Sequence, residues 1–245
     1  MRIEQDVMEV LSVATVDGQA LTLVGQLDRK LYERTNKVIE AAGGKWNRKA
    51  KAHVFDAAAA DRIDQMILTG EVDVPKDEFN FFPSPPAVVK RLMELADVRW
   101  GMMVLEPSAG DGAIALACSE ADAFVDCIEL MEANAEKLKA HERLNVRQMD
   151  FMTVDPVVAY DRVVMNPPFL KQSDIKHVTH ALQFLKPGGL LVAVMSAGVS
   201  FRNDARTTAF RELVEQRGGS IEALPENSFK ASGTGVNTVI AVIPA

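Results

Sequence analysis

Four short segments of this chain carry residue types suited to holding a nucleoside and an amine. The first, MVLEPSAGDGAI at 103–114, reads as an apolar strand, a turn of small residues and a helix start. Glycines in such a turn let the backbone approach a ligand closely at the carboxyl end of a first strand, where open α/β sheets bind nucleosides. The turn alone also fits a tight connection with no ligand, or a nicotinamide site, although it lacks the G-x-G-x-x-G spacing. Nineteen residues after Gly110, Glu129 closes the strand-like FVDCIE with Leu130 beside it, where an acid can accept both hydroxyls of a ribose. Another 21 residues on, Asp150 and Phe151 offer a carboxylate and a ring to an adenine amino group and face. Taken singly, these two read equally well as a turn cap and a core residue.

The fourth segment, DRVVMNPPFL at 161–170, decides the chemistry. Two prolines directly after an apolar strand stop it, fix the backbone and leave carbonyls without local N–H partners. Asn166 and the Pro167 carbonyl can accept both hydrogens of an exocyclic amine, with Pro168 stiffening the turn and Phe169 stacking on a flat base. The amine's lone pair is then free to attack a methyl group. NPPF by itself is an ordinary turn, but four such segments in order at β-α spacing are hard to assemble by accident.

Alternating elements must position these segments. From residue 87 onward, helical stretches (87–97, 132–142, 174–186, 205–217) alternate with strand-like runs (102–106, 124–129, 161–165, 189–196), which predicts an α/β, Rossmann-like, mostly parallel sheet. SIEALPENSF and GVNTVIAVIPA read as two further strands, an antiparallel hairpin at the sheet edge. Ahead of them lies a small α+β unit. Its short strands at 13–25 surround a turn at Asp17-Gly18, a helix at 27–44 ends at Gly43-Gly44, a strand covers 45–55, and a second helix at 57–70 stops at Gly70. The Pro-rich, acidic stretch 71–86 places the boundary near residue 76, giving an accessory domain at 1–76 and a catalytic domain at 77–245.

Composition fits this plan. Hydrophobic residues make up 48% and charged residues 25% of 245, as in soluble globular chains. The start lacks a secretory pattern, and no apolar run approaches the roughly 20 residues that cross a bilayer, so a cytoplasmic, bacterial or phage-encoded protein with no membrane contact is expected. Cys118 and Cys127 should be reduced and buried. The net charge of −7 argues weakly against a polyanion partner, yet residues 29–51 hold eight basic residues against two acids, a local excess of 8 − 2 = +6.

With these motifs in hand, residues 79–245 resemble the amino-methyltransferases of nucleic acids, specifically the N6-adenine DNA methyltransferases, including solitary ones from phages and plasmids. The resemblance covers about two-thirds of the chain. It implies S-adenosylmethionine as cofactor. FFPSPP at 81–86 is similar to the family's segment that holds the methionine end, pointing to Pro83 and Ser84. By the same resemblance Glu106, Ser108, Gly110, Asp111 and Gly112 line the methionine and ribose, Glu129 takes the ribose hydroxyls, and Asp150 with Phe151 holds the cofactor adenine. Asn166, Pro167 and Phe169 grip a target base flipped out of duplex DNA. The late segment NSFKASGTGVNT at 227–238 resembles a hairpin bordering that base, with Phe229 and Asn237 as candidates.

Methyl transfer from a sulfonium needs no metal and no strong base when proximity supplies much of the acceleration. The four histidines do not bracket the strand tip, and the His177/His180 pair is expected on solvated surface. Many relatives append a large target-recognition domain, so here recognition must come from elsewhere. Lys45, Trp46, Asn47, Arg48, Lys49 and Lys51 form one candidate surface, and the loop SFRNDAR with Arg202 and Asn203 another. Either can equally be plain solvated surface. A homodimer would suit a palindromic site. The rival readings are methylation of guanine N2 in rRNA or of a release-factor glutamine, and a DNA-binding module without activity.

Overall fold

A computed structural model describes residues 1–55, 58–72, 82–230 and 237–245. The chain folds around two sheets. The first belongs to the N-terminal unit: α1 (Gln5–Ser12), β1 (Thr15–Asp17), β2 (Ala20–Thr22), α2 (Arg29–Ala41), β3 (Lys45–Asn47), β4 (Ala52–Val54) and α3 (Ala59–Thr69), with strand order β1-β2-β4-β3, antiparallel throughout. Asp28 caps α2 by accepting from the N–H groups of Lys30 and Leu31. The apolar faces of the three helices close on Leu21, Ile39, Phe55 and Met66, each buried.

Two expectations change here. Residues 45–55 are not one strand but a hairpin, because the Asn47 side chain accepts from the N–H groups of Lys49 and Ala50 and turns the chain. Helix α1 was not anticipated; its apolar positions Val7, Met8, Val10 and Leu11 are interrupted by charge in a way that reads as an undecided N-terminus. The expected boundary near residue 76 lies outside the described residues.

The second sheet holds the candidate site. Its elements are α4 (Pro86–Ala96), β5 (Met103–Glu106), α5 (Ala113–Glu120), β6 (Phe124–Glu129), α6 (Glu132–Lys139), β7 (Leu144–Gln148), β8 (Tyr160–Met165), α7 (Ser173–Ala181), β9 (Leu185–Ser196), α8 (Gly198–Phe201), α9 (Ala205–Gln216), β10 (Ser220–Ala223) and β11 (Thr238–Pro244). Seven strands run in the order β10-β11-β9-β8-β5-β6-β7. β5 through β9 are parallel, while β11 is antiparallel to β9 and β10 to β11, so the expected edge hairpin is present. β7 lay unread between α6 and Asp150, because Leu144-Asn-Val-Arg-Gln148 is a polar edge strand with only Leu144 buried. Helix α7 is shorter than expected. The residue before Pro187 is disfavoured in helix, and Leu185 instead pairs with Tyr160, with a register shift before Arg162↔Leu190.

Side chains alternate across the sheet with period two. Val104, Val125, Val164, Val192 and Ile240 face α4 and α5, whereas Leu105, Ile128, Val163, Leu191 and Ala241 face α7 and α9. Chain order reverses between β5 and β8, and the carboxyl ends of open α/β strands form a crevice at such a switch point. Among the described residues no helix is long and apolar enough to cross a membrane.

His53 on β4 supplies a test of the N-terminal unit. It is 1% exposed, its Nε2 lies 2.6 Å from Asn36 Oδ1, and its Nδ1 has no partner among the described residues. An amide oxygen only accepts, so Nε2 carries the proton and protonation would place a second N–H in an apolar site. Burial accordingly lowers the pKa, with Glu40 opposing. Because the folded value lies below the unfolded one, this group's stabilisation is present above the ordinary histidine range and lost as pH falls through the folded value. The thermal midpoint should fall between about pH 7 and about pH 5, and His53→Phe should flatten that slope; an unchanged slope would remove His53 as its source.

Candidate active site

The turn after β5 is shaped by glycine conformation. Gly110 and Gly112 have φ of 56° and 86°, values that L side chains rarely adopt. A Cβ on Gly112 would sit 2.3 Å from Leu138 Cδ2 of α6, so any side chain there would have to displace that leucine. The Ala109 N–H donates to Ile128 O at 3.0 Å and the Gly110 N–H to Glu129 Oε2 at 2.7 Å, fastening the turn to the end of β6. Glu129 Oε1 accepts from the Met131 N–H at 2.7 Å. Its carboxylate is 6% exposed, held by two backbone donors, and still has lone pairs facing the cleft it lines.

Asp150 follows β7, accepts from the Met152 N–H at 2.9 Å and is exposed at the cleft. Phe151 is 3% exposed, and its ring packs against His177, His180 and Phe184 at centroid distances of 6.0, 4.8 and 5.3 Å. The capping and packing roles first given to this pair hold alongside a place at the cleft.

Asn166 ends β8. Its Nδ2 donates to Phe82 O and to Ser84 Oγ, both at 3.0 Å. A carbonyl oxygen cannot donate, so the amide orientation is fixed and Oδ1 is the free end. That oxygen is buried with no partner among the described residues. Around it, a cleft with about 670 Å³ of empty space, partly open to solvent, runs past Phe82, Ser108, Gly110, Glu129, Asp150 and Pro167. Leu130, Phe151, Pro168 and His177 also line it, and a smaller recess continues past Ser84, Glu106, Asp111 and Asn166. Gly112 closes the turn behind that recess, and Pro83 is partly buried between Phe82 and Ser84.

Several expected site residues sit elsewhere. Phe169 is 4% exposed and stacks on Phe82 at 6.1 Å and 23°, so its ring face is filled by Phe82 rather than open to a base. Phe229 is 1% exposed in the core beneath α4. Asn237 lies beside the carboxyl end of α3, its Nδ2 within 3.7 Å of where a Gly70 Cβ would be. Arg202 is committed to Asp64 and Asp204, with a side chain 17% exposed, and cannot reach a groove edge from there. By contrast Lys45, Trp46, Asn47, Arg48, Lys49, Lys51 and Asn203 are exposed. Residues 231–236 of the late segment, and Phe81, lie outside the described residues.

Sequence reasoning missed His177. It is 9% exposed rather than solvated, and its Nδ1 donates to Ser173 O at 2.8 Å, which leaves Nε2 as the acceptor. Burial lowers its pKa, against the Ser173 carbonyl and Asp150. His180 packs on Phe151 and reaches Val154 O at 3.0 Å. Nothing in the i, i+3 spacing of these histidines separates this role from surface; the sheet topology does. Phe82, by contrast, stands in the same FFPSPP segment as Pro83 and Ser84, so the signal for it is local.

Glu106 ends β5 fully buried, with Oε2 unpartnered among the described residues. Burial pushes its carboxyl well above the usual range, with an Ala115 backbone hydrogen bond opposing and Asp111 and Glu129 adding to the rise. A raised folded pKa gives stabilisation that is complete below the ordinary glutamate value of about 4.3 and lost as pH rises through the folded value. Thermal melts of Glu106→Gln without cofactor should therefore lose less stability than wild type toward alkaline pH; parallel curves would mean an ionised Glu106.

Residues 90–217 match the family Methyltransferase small domain. The chain is 25% identical over 142 residues to a release factor glutamine methyltransferase of Rhodopirellula baltica, covering 54% of this chain and 46% of that protein. It is 31% identical over 88 residues to a tRNA1(Val) (adenine(37)-N6)-methyltransferase of Aliivibrio fischeri, covering 32% and 38%. It thus spans less than half the length of these curated relatives. Among solved structures, a dimethyladenosine transferase from Plasmodium falciparum shares the fold at TM-score 0.52 and 19% identity, over 67% of this chain and 64% of that one. The crevice at the β5/β8 reversal, with its glycine turn and buried acids, is the candidate site, and the chain belongs to the methyltransferase small domain family.

Proposed function

We propose that the chain transfers a methyl group to the N6 amine of an adenine flipped out of duplex DNA. The observation that carries this reading is the free Asn166 Oδ1 at the tip of β8, locked as an acceptor by two bonds on its own Nδ2. An acceptor so placed takes one hydrogen of an NH₂ group, and the Pro167 carbonyl takes the other. Both bonds draw the nitrogen toward a tetrahedral geometry and leave its lone pair available.

S-adenosylmethionine supplies an electrophilic methyl carbon on a positively charged sulfur. The chain's residues hold and orient it. Glu129 would receive the ribose hydroxyls, Asp150 and the Phe151 ring would receive the adenine, and His177 Nε2 would offer a further acceptor at that end. Gly110 and Gly112 allow close backbone approach, while Ser84, Glu106 and Ser108 surround the methionine end with Pro83 and Asp111 at its rim. Bound there, the sulfonium would supply the methyl carbon and act as the leaving group, while Asn166 and the Pro167 carbonyl hold the amine and solvent takes its proton. Phe169 backs Phe82 in this arrangement, and Phe82 presents the aromatic surface at the cleft.

Charge at the N-terminal unit favours a nucleic acid. Arg34 is paired with Glu4 and Asp6, and Arg29 with Glu33. Lys30, Lys37, Lys45, Arg48, Lys49 and Lys51 remain exposed with no ion pair among the described residues, and Trp46 stands 51% exposed on the same hairpin. Phosphate contacts from such a surface bind without reading sequence. A second reading rests on the glutamine methyltransferase likeness, since a carboxamide presents the same planar NH₂ to Asn166.

Incubation with tritiated S-adenosylmethionine and, separately, duplex DNA, tRNA, rRNA and a release factor tests both. We expect N6-methyladenine in DNA, reduced by about a hundredfold or more in Asn166→Ala. Label confined to RNA or protein would overturn the DNA target. The double variant Arg48→Ala, Lys49→Ala should weaken DNA binding alike for all sequences and reduce the salt slope by up to about 1.8, from about 0.9 per phosphate contact; an unchanged slope would take the hairpin off the DNA.

A further inference from the structure

We propose that the N-terminal unit is a positioning element for the catalytic loop, in which helix α3 holds the segment after Asn166-Pro-Pro-Phe169 through Asp64–Arg202 and Asp61–Lys171. The segment needs holding. Lys171 and Gln172 both adopt left-handed backbone, with φ, ψ of 57°, 32° and 58°, 36°. Two consecutive non-glycine residues in that region persist only where the surroundings over-determine them.

The surroundings here are contributed jointly. Lys171 Nζ meets Asp61 Oδ1 at 2.8 Å. Gln172 Nε2 donates to Asp204 Oδ2 at 2.8 Å and to Thr207 Oγ1 at 3.1 Å, and its Oε1 accepts from Arg206 at 3.2 Å. Asp204, which caps α9, also receives Arg202 Nε at 3.3 Å, and Arg202 Nη1 reaches Asp64 Oδ1 at 2.8 Å. A continuous polar chain therefore runs from α3 through Arg202 and Asp204 to Gln172. Its far end is the start of α7, where Asp174 accepts from the Ser196 N–H at 2.9 Å and ties the helix to the end of β9.

Apolar contacts run in parallel. Leu68 of α3 belongs to the core that contains Phe169, and Phe201 of α8 packs into the core of the N-terminal unit. The two ion pairs are unequal. Lys171 and Asp61 are 60% and 52% exposed, so that pair is weak. Arg202 and Asp64 are 17% and 18% exposed, and removing one partner leaves a charge short of a partner in a largely dry place. Asp64 is thus the decisive positioning residue, acting on Asn166 through the loop and touching neither cofactor nor acceptor.

The test uses the full chain with Asp64→Asn and Asp64→Glu. Hydrogen exchange of peptides spanning 166–176 and binding of S-adenosylhomocysteine are read first, because neither depends on the acceptor; turnover, which rests on the proposed amine substrate, is read third. In Asp64→Asn we expect exchange over 166–176 to quicken by about tenfold or more, with cofactor-product affinity within about twofold of wild type. Turnover should fall about tenfold at unchanged KM for S-adenosylmethionine, and Asp64→Glu should restore both. A lowered thermal midpoint with unchanged exchange over 166–176 would overturn the proposal, leaving α3 as a structural support alone. Quickened exchange with no turnover on any amine acceptor would instead fault the substrate reading.

Discussion

The geometry of the site depends on how one side-chain amide is held. Asn166 leaves β8 between a hydrophobic strand and two prolines, with no N–H on either proline to compete for its oxygen. Its nitrogen is consumed by Phe82 O and Ser84 Oγ, which come from a segment more than 80 residues earlier in the chain. The segment before α4 therefore decides which end of Asn166 faces the crevice. An amide donating at that point would repel an NH₂ group; an amide accepting there draws it in. The Phe82–Phe169 stack fixes the same two segments from the other side, so that hydrogen bonding and ring packing agree on one arrangement.

Acids at three successive strand ends show how burial sorts like groups into different tasks. Glu106 is enclosed with little to stabilise charge, and burial favours its neutral form. Glu129 is nearly as enclosed but accepts from two backbone N–H groups, one on each oxygen. Asp150 stands in solvent with one oxygen bonded to its own turn. From the strand tip outward, the crevice passes from the buried Glu106 to Glu129, bonded by two backbone N–H groups, to the exposed Asp150.

Most of the catalytic half was legible because its signals are local. Strand hydrophobicity, the Gly110-Asp111-Gly112 turn, the acid ending β6 and the prolines after β8 each follow from short-range stereochemistry, and the alternation of elements supplies their order. Misreadings arose where tertiary contact overrides local type. Arg202 looks like a groove reader until Asp64 is brought beside it; Phe229 and Phe169 look like stacking rings until the core closes over them; His177 looks like surface until α7 is laid against Phe151. The tight turn inside 45–55 was visible in principle, since an Asn followed two and three residues later by N–H donors is an Asx turn, but the apolar and basic run around it favours a continuous strand.

The N-terminal unit then has two faces with different physics. Its β3–β4 hairpin carries exposed cations, where pairing is weak and salt-sensitive, and its α3 carries two acids whose cationic partners lie in the catalytic half, one of them largely out of water. The two faces are structurally separate, because α3 lies against α1 and the hairpin pairs with β2. The exposed cations of the hairpin and the paired acids of α3 thus occupy separate surfaces of one small unit. The acids of α3 could not move to the hairpin without cancelling its charge, nor could the hairpin's lysines move to α3 without meeting Lys171 and Arg202. The two charge patterns therefore stay apart only because they sit on different elements.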